Sequence, residues 1–208
     1  METVVLNLKI RESYQDYIKT AAEALRRGEL VAFPTETVYG LGVHRDNADA
    51  VKRLFEAKKR PEEKRLTLMI ADPHDVTKYV NRFSDTEKRL MDFFWPGALA
   101  IVFTAKNSDG ICIRLPDNAI ARDLIRMAQV PVVTTSANIS GQPPATDAQQ
   151  VLMDMKGRIH VILDGGSTRL RSPSTIIRVN NGAVEVLRHG VITETSIKNC
   201  LQTGLMRL

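Results

Sequence analysis

A chain of 208 residues with 43% hydrophobic and 25% charged residues has the composition of a folded domain and lies outside the low-hydrophobicity, high-charge regime of disorder. Its net charge of +5 is concentrated, because Lys52 to Arg65 holds seven basic and three acidic residues, which reads either as a solvated helix face or as a site for phosphates. Two cysteines, Cys112 and Cys200, and four histidines, His44, His74, His160 and His189, form no CxxC, HxH or HExxH spacing, so no protein-built metal or dithiol centre is expected. Neither a run of ~18 apolar residues nor a basic-then-apolar leader pattern occurs, and a single cytoplasmic domain, 1–208, is expected.

In chain order, a short strand around Val4 to Leu8 precedes Tyr14 to Arg27, where Tyr17, Ile18, Ala21, Ala22 and Leu25 recur at helical spacing and Gly28 supplies the stop. Leu30 to Phe33 is a buried strand, and the glycine-punctuated PTETVYGLG returns the chain toward a second one. Ala48 to Lys58 is helical again, LTLMIAD reads as a strand, and SDTEKRLMDFFW as a helix opened by a Ser84/Glu87 capping box. ALAIVFTA, ICIRLP, VPVVTTSA, HVILDGG, STIIRV and AVEVLRHG then alternate with helical stretches at Asn118 to Ala128 and Asp147 to Met155. The pattern amounts to about seven strands and about five helices. Some strands follow each other directly, which implies a mixed sheet.

Three polar constellations fall where strands or helices should end. PTETVYGLG, Pro34 to Gly42, sets two threonines, a glutamate and two glycines after a buried strand; ordinary turn chemistry is the alternative. AKKRP, Ala57 to Pro61, ends a helix; its cations could serve the helix dipole alone, or Lys58 and Arg60 could reach one polyphosphate. TTSANISG, Thr134 to Gly141, follows the strand VPVV; Ser136 and Asn138 would point the same way if the chain stays extended. Arg114 is a charge inside an apolar strand and calls for a carboxylate partner, which a ligand could supply. No GxxxxGK[ST] and no GxGxxG is present, so any nucleotide is held neither by a P-loop nor by a Rossmann turn.

FPTETVYGLG, AKKRP, WPGALAIVF, IRLP, TTSANISG, PSTII and LRHG, in this order from Leu30 to Gly190, resemble the YrdC-like family of threonylcarbamoyl-AMP synthases. The resemblance implies an α+β, YrdC/RibB-like fold: a single three-layer domain whose twisted mixed sheet forms a concave basic cavity. The motif-bearing core would run from about 14 to 190, with no extra C-terminal domain.

It further implies that Lys58, Arg60, Ser136 and Asn138 grip the ATP phosphates as a catalytic tetrad and that Arg188 contacts the nucleotide. Thr35, Arg114, Thr134 and Ser174 would bind L-threonine, Arg114 through the carboxylate. The implied reaction joins L-threonine, bicarbonate and ATP into L-threonylcarbamoyladenylate and pyrophosphate. Mg2+ would travel with the ATP, and a downstream tRNA threonylcarbamoyl transferase would take the product. Three positions depart from the family pattern: Ala100 stands where threonine is common, and Arg65 and His189 stand where proline is. The missing hydroxyl at Ala100 would remove one nucleotide contact.

Two other readings compete. A basic cavity could hold RNA backbone, although aromatics make up only 5% and no basic run is interleaved with them. A paralogue on the same fold could lack the activity, which retention of both the K-x-R and S-x-N pairs disfavours.

Overall fold

The computed structural model describes residues 1–105 and 108–203. Ten strands form one mixed sheet: β1 (Val4–Asn7), β2 (Val31–Phe33), β3 (Gly40–His44), β4 (Thr67–Met69), β5 (Leu99–Ala105), β6 (Ser108–Arg114), β7 (Val132–Ser136), β8 (Val161–Asp164), β9 (Thr175–Asn180) and β10 (Ala183–Arg188). Their order is β1-β8-β2-β3-β7-β4-β6-β5-β9-β10. The expected count of about seven is therefore low. Each extended segment singled out above is paired into the sheet, including β2, β3 and β4, which at three to five residues are too short for alternation to mark them.

Among the described residues six α-helices accompany the sheet: α1 (Tyr14–Arg26), α2 (Ala48–Lys58), α3 (Asp85–Phe94), α4 (Ala119–Ala128), α5 (Ala148–Met155) and α6 (Glu194–Thr203). Their ends follow from local chemistry. Asn47, Ser84, Asn118 and Asp147 each accept a bond from a first-turn backbone N–H, Ser84 within the capping box with Glu87. Gly28, at φ 78°, closes α1.

Strand periodicity sorts the core into two faces. On one, Ala32, Leu68, Ile101, Ile113, Val133 and Ile162 pack beneath α2, α3, α5 and α6. On the other, Val31, Phe33, Val132, Val161 and Leu163 meet the apolar stripe of α1 and α4. Fully burying each leucine, isoleucine or valine of these layers is worth about 1.5–3 kcal/mol. The stripe of α1 and α4 meets β2, β7 and β8 on this face, and α4 reaches Met69 of β4 through Ile125. Farther along the same face, Ala100, Val102, Cys112 and Ile176 of β5, β6 and β9 pack together with no helix residue among the described members of their cluster, and the candidate site opens beside them.

Candidate active site

A cavity of about 290 Å³ opens on that face. Its floor is one pleat stripe. Thr134 and Ser136 of β7 lie two and four residues past Val132 and share its side of the sheet; Thr134 pairs in register with Thr67 of β4, Met69 with Arg114 of β6, and Ile176 of β9 with Arg188 of β10. In a strand, alternate residues face one way, so these side chains converge although they come from five strands. Gly40 and Gly42 lie opposite Ser136 and Thr134. A Cβ on Gly42 would come within 2.8 Å of the Phe33 ring, so the bare backbone there is required by packing.

One end of the cavity is built by the C-terminus of α2 and the turn after β7. Lys59 takes the left-handed conformation, φ 51°, while its N–H bonds Glu56 O and the Arg60 N–H bonds Phe55 O, a Schellman-type reversal. The reversal turns exposed Lys59 outward and leaves Lys58 and Arg60 on the cavity wall. Lys58 is 1% exposed. Its Nζ donates to Ser136 O and Asn138 O, and its own carbonyl accepts from Ser140 N at 2.8 Å. Burial first, then the Arg60 charge, pushes the Lys58 amine down from 10.5 to about 7. Burial also lowers the pKa of Arg60.

The chain does not stay extended through Ser136 and Asn138. It turns, with Asn138 N donating to Ser136 O, and both residues line the cavity. Asn138 Nδ2 donates to Ile139 O at 2.8 Å and Gln142 O at 2.7 Å. Asn138 Oδ1 and Arg60 Nε are buried with no hydrogen-bond partner among the described residues.

The other end is built by the PTET loop and β6. Arg114 Nη2 donates to Glu36 Oε1 at 2.7 Å and Thr37 Oγ1 at 2.9 Å, and Nε donates to Gly97 O at 3.1 Å. Glu36 is thus the carboxylate that a charge within β6 required, supplied by the chain 78 residues away. The Thr35 hydroxyl donates to Val38 O at 2.7 Å and accepts from Thr37 N, so it braces the loop beside the cavity. Thr134 Oγ1 donates to Thr67 O at 3.1 Å. At the rim, exposed Arg188 donates to Ser174 O through Nε and Nη2 and to Ser174 Oγ at 2.9 Å. A Cβ at Gly190 would clash with the Ser174 backbone at 2.4 Å, which keeps that crossing of LRHG over PST a glycine.

All nine residues singled out in the sequence therefore line one cavity. Sequence reasoning missed Glu36 as the partner of Arg114, and the lining residues Thr37, Thr67, Lys64 and Arg65; the one legible signal was the lone carboxylate of PTET. Of the three departures, only Arg65 reaches the cavity, with Nη1 donating to Gly110 O at 3.3 Å. Ala100 is in register with Ile176 on the floor's own face, where it packs with Val102, Cys112 and Ile176, and it is not among the lining residues. His189 is exposed outside the cavity. The lining residues include six cations and no carboxylate. Among the described residues no group of three His, Cys, Asp or Glu could hold a metal, and no helix is long and apolar enough to cross a membrane.

This architecture has counterparts. The family model described as Telomere recombination, Sua5/YciO/YrdC, matches residues 23–190. The chain is similar to the Threonylcarbamoyl-AMP synthase of Bacillus subtilis (strain 168), 40% identical over 191 residues, covering 87% of this chain and 55% of that protein. It is likewise similar to the Threonylcarbamoyl-AMP synthase of Pyrococcus abyssi, 38% identical over 198 residues, 90% of this chain and 58% of that one. The crystal structure of P. abyssi Sua5 complexed with L-threonine superposes with a TM-score of 0.89 at 36% identity, covering 96% of this chain and 61% of that chain. The chain thus spans less than two thirds of the length of each of these relatives.

Proposed function

The chain belongs to the Sua5/YciO/YrdC family, and on that premise we propose that it forms L-threonylcarbamoyladenylate and pyrophosphate from L-threonine, bicarbonate or CO2, and ATP. The observation that carries this reading is the mismatch at the α2 end of the cavity. Buried Lys58 and half-buried Arg60 stand there with no carboxylate among the lining residues, and polar atoms are buried with no partner among the described residues, which a polyphosphate would complete. The relatives named for this activity, and the threonine bound in the P. abyssi structure, support the same assignment.

In the proposed reaction the threonine amine attacks the carbon of CO2, forming an N–C bond and losing a proton. A carbamate oxygen then attacks the α-phosphorus of ATP. The bond to the oxygen bridging toward the β-phosphate breaks, and its electron pair leaves with pyrophosphate. No side-chain nucleophile is needed, so positioning and charge neutralisation carry the catalysis. Lys58 and Arg60 hold the phosphates, Ser136 offers a hydroxyl to them, and Arg188 steadies the nucleotide from the rim. Arg114 spends Nε and Nη2 on the protein, and its remaining edge, Nη1, pairs with the threonine carboxylate. Thr134 and Ser174 flank the amino acid, and Thr35 acts by holding Thr37 under Arg114.

The divalent cation that accompanies ATP would find a fitting group in the Asn138 turn: a buried amide oxygen with no partner among the described residues, the hard neutral donor that Mg2+ accepts beside phosphates and water. Bound there, it would neutralise charge developing on the departing pyrophosphate. The labile adenylate would pass in the cytoplasm to a tRNA threonylcarbamoyl transferase.

Incubation with labelled bicarbonate, L-threonine and ATP tests the reading. Release of pyrophosphate together with a labelled adenylate is expected, and pyrophosphate release without label in the adenylate would overturn it. Titration with ATP and with single-stranded RNA separates a synthase from an RNA-binding module, since only the latter binds RNA without ATP binding.

A further inference from the structure

Asn138 belongs to the set expected to grip phosphate, but its hydrogen-bond inventory does not allow a direct grip. A neutral amide offers two N–H donors and one acceptor oxygen. Both donors of Asn138 are spent on the carbonyls of Ile139 and Gln142. Turning the amide round would set three acceptors against one another, so the neighbouring carbonyls fix its orientation. What remains for a ligand is Oδ1, on a side chain only 5% exposed, in a residue lining the cavity, with no partner among the described residues. Phosphate oxygens at neutral pH are acceptors. Two acceptors in contact repel, so the missing partner of Oδ1 is a donor or a cation.

Another orphan atom of the same cavity wall has the opposite sign. Arg60 Nε is a buried donor with no acceptor among the described residues, and a phosphate oxygen satisfies it directly. A metal–phosphate unit is the ligand that completes both atoms at once. The turn is rigid enough to present Oδ1, since Lys58 Nζ holds the carbonyls of Ser136 and Asn138 and Lys58 O accepts from Ser140 N.

We propose that Asn138 Oδ1 is a ligand of the divalent cation that enters with ATP, and that Asn138 makes no direct phosphate contact. The remaining ligands would be phosphate oxygens and waters, as Mg2+ prefers when no protein cage is present. The inference rests on the ATP-binding reading above.

The test titrates ATP, without threonine or bicarbonate, into wild-type protein and the variants Asn138→Ala and Asn138→Asp, each with EDTA and with Mg2+. Mn2+ paramagnetic resonance reads metal affinity in the same complexes. In the wild type, Mg2+ is expected to tighten ATP binding, and Asn138→Ala to lose about 10-fold or more of Mn2+ affinity with metal-free ATP affinity little changed. Both variants lose the two N–H braces, but Asn138→Asp keeps an oxygen and adds a negative charge, so it is expected to retain or increase the metal-dependent increment while its charge repels metal-free ATP and weakens that binding relative to Asn138→Ala. A pure loop brace would instead weaken both variants equally with and without metal, and a ligand hydroxyl or amine on Oδ1 would make the Asn138→Ala loss independent of metal; either result overturns the proposal. Failure of the wild type to bind ATP under any condition would overturn the nucleotide reading itself, and the proposal with it.

Discussion

The two ends of the cavity solve opposite problems. At the PTET end, Arg114 is held by Glu36, Thr37 and Gly97 O, so the protein supplies its own counter-ion, although Glu36 Oε2 is itself buried with no partner among the described residues. At the α2 end, Lys58 and Arg60 share a wall with no carboxylate among the lining residues, the Lys58 amine is pushed down to about 7, and Arg60 Nε and Asn138 Oδ1 have no partner among the described residues. A zwitterion brings little net charge, so its subsite can carry its own counter-ion in advance. A triphosphate brings several negative charges, and a site finished in advance would repel it or compete with it. Mutations at the first end should therefore be felt in folding, and mutations at the second in function.

The largest expected effect follows from breaking the internal ion pair. Glu36→Ala leaves the Arg114 guanidinium buried and unpaired, a loss commonly about 3–5 kcal/mol, readable as a fall in the denaturant midpoint. Replacing both partners, Glu36→Leu with Arg114→Met, should recover most of that stability, since a hydrophobic pair can substitute for a buried ionic one. The threonine requirement of the double variant should nevertheless stay raised relative to its ATP requirement. Normal threonine kinetics in the double variant would show that the pair is purely structural.

Lys58→Met is expected to reverse the order of damage. Synthesis should fall about 100-fold or more, the scale of one lost preorganised electrostatic contact, with ATP affinity reduced and thermal stability nearly retained. A comparable loss of stability and turnover would erase the contrast between the two ends.

The titration of Lys58 sharpens it further. With a folded pKa near 7 against an ordinary 10.5, the unfolded chain binds more protons between those values, so stability contributed at this position rises with pH across about 7 to 10.5 and is flat below 7. Unfolding curves across that range should show a slope that Lys58→Met removes. By the same linkage, ATP binding at pH 8 should take up protons, visible as a dependence of the binding heat on buffer ionisation enthalpy.

The smallest expected effect is at Lys59, exposed and left-handed at φ 51°. Lys59→Asn keeps a residue type that tolerates this conformation, so stability should move by no more than about 0.5 kcal/mol and turnover should stay near wild type. Alanine would be a poorer control, because it adds backbone strain to the loss of charge. A Lys59→Asn loss as deep as that of Lys58→Met would mean that total basicity, and not position, serves the phosphates.

Much of this molecule was legible in the chain itself. The apolar stripe of Tyr14 to Arg26, the capping residues Asn118, Asp147 and Ser84, and the stop of α2 at Lys58 are set by neighbours within four or five residues, and local patterns reveal them. The order of short motifs was enough to place nine cavity residues together by resemblance. Only the tertiary structure decided who pairs with whom: Glu36 with Arg114, and Lys58 with the carbonyls of Ser136 and Asn138, each across about 78 residues. It also decided that the Thr35 hydroxyl and the Asn138 amide protons are spent inside their loops, that Ala100 is packed beside Ile176 and outside the lining, and that ten strands of the described residues join one sheet. These features depend on which strand becomes the neighbour of which. Local spacing carries no record of that choice, because the burial and hydrogen bonds that determine it exist only once distant segments have met.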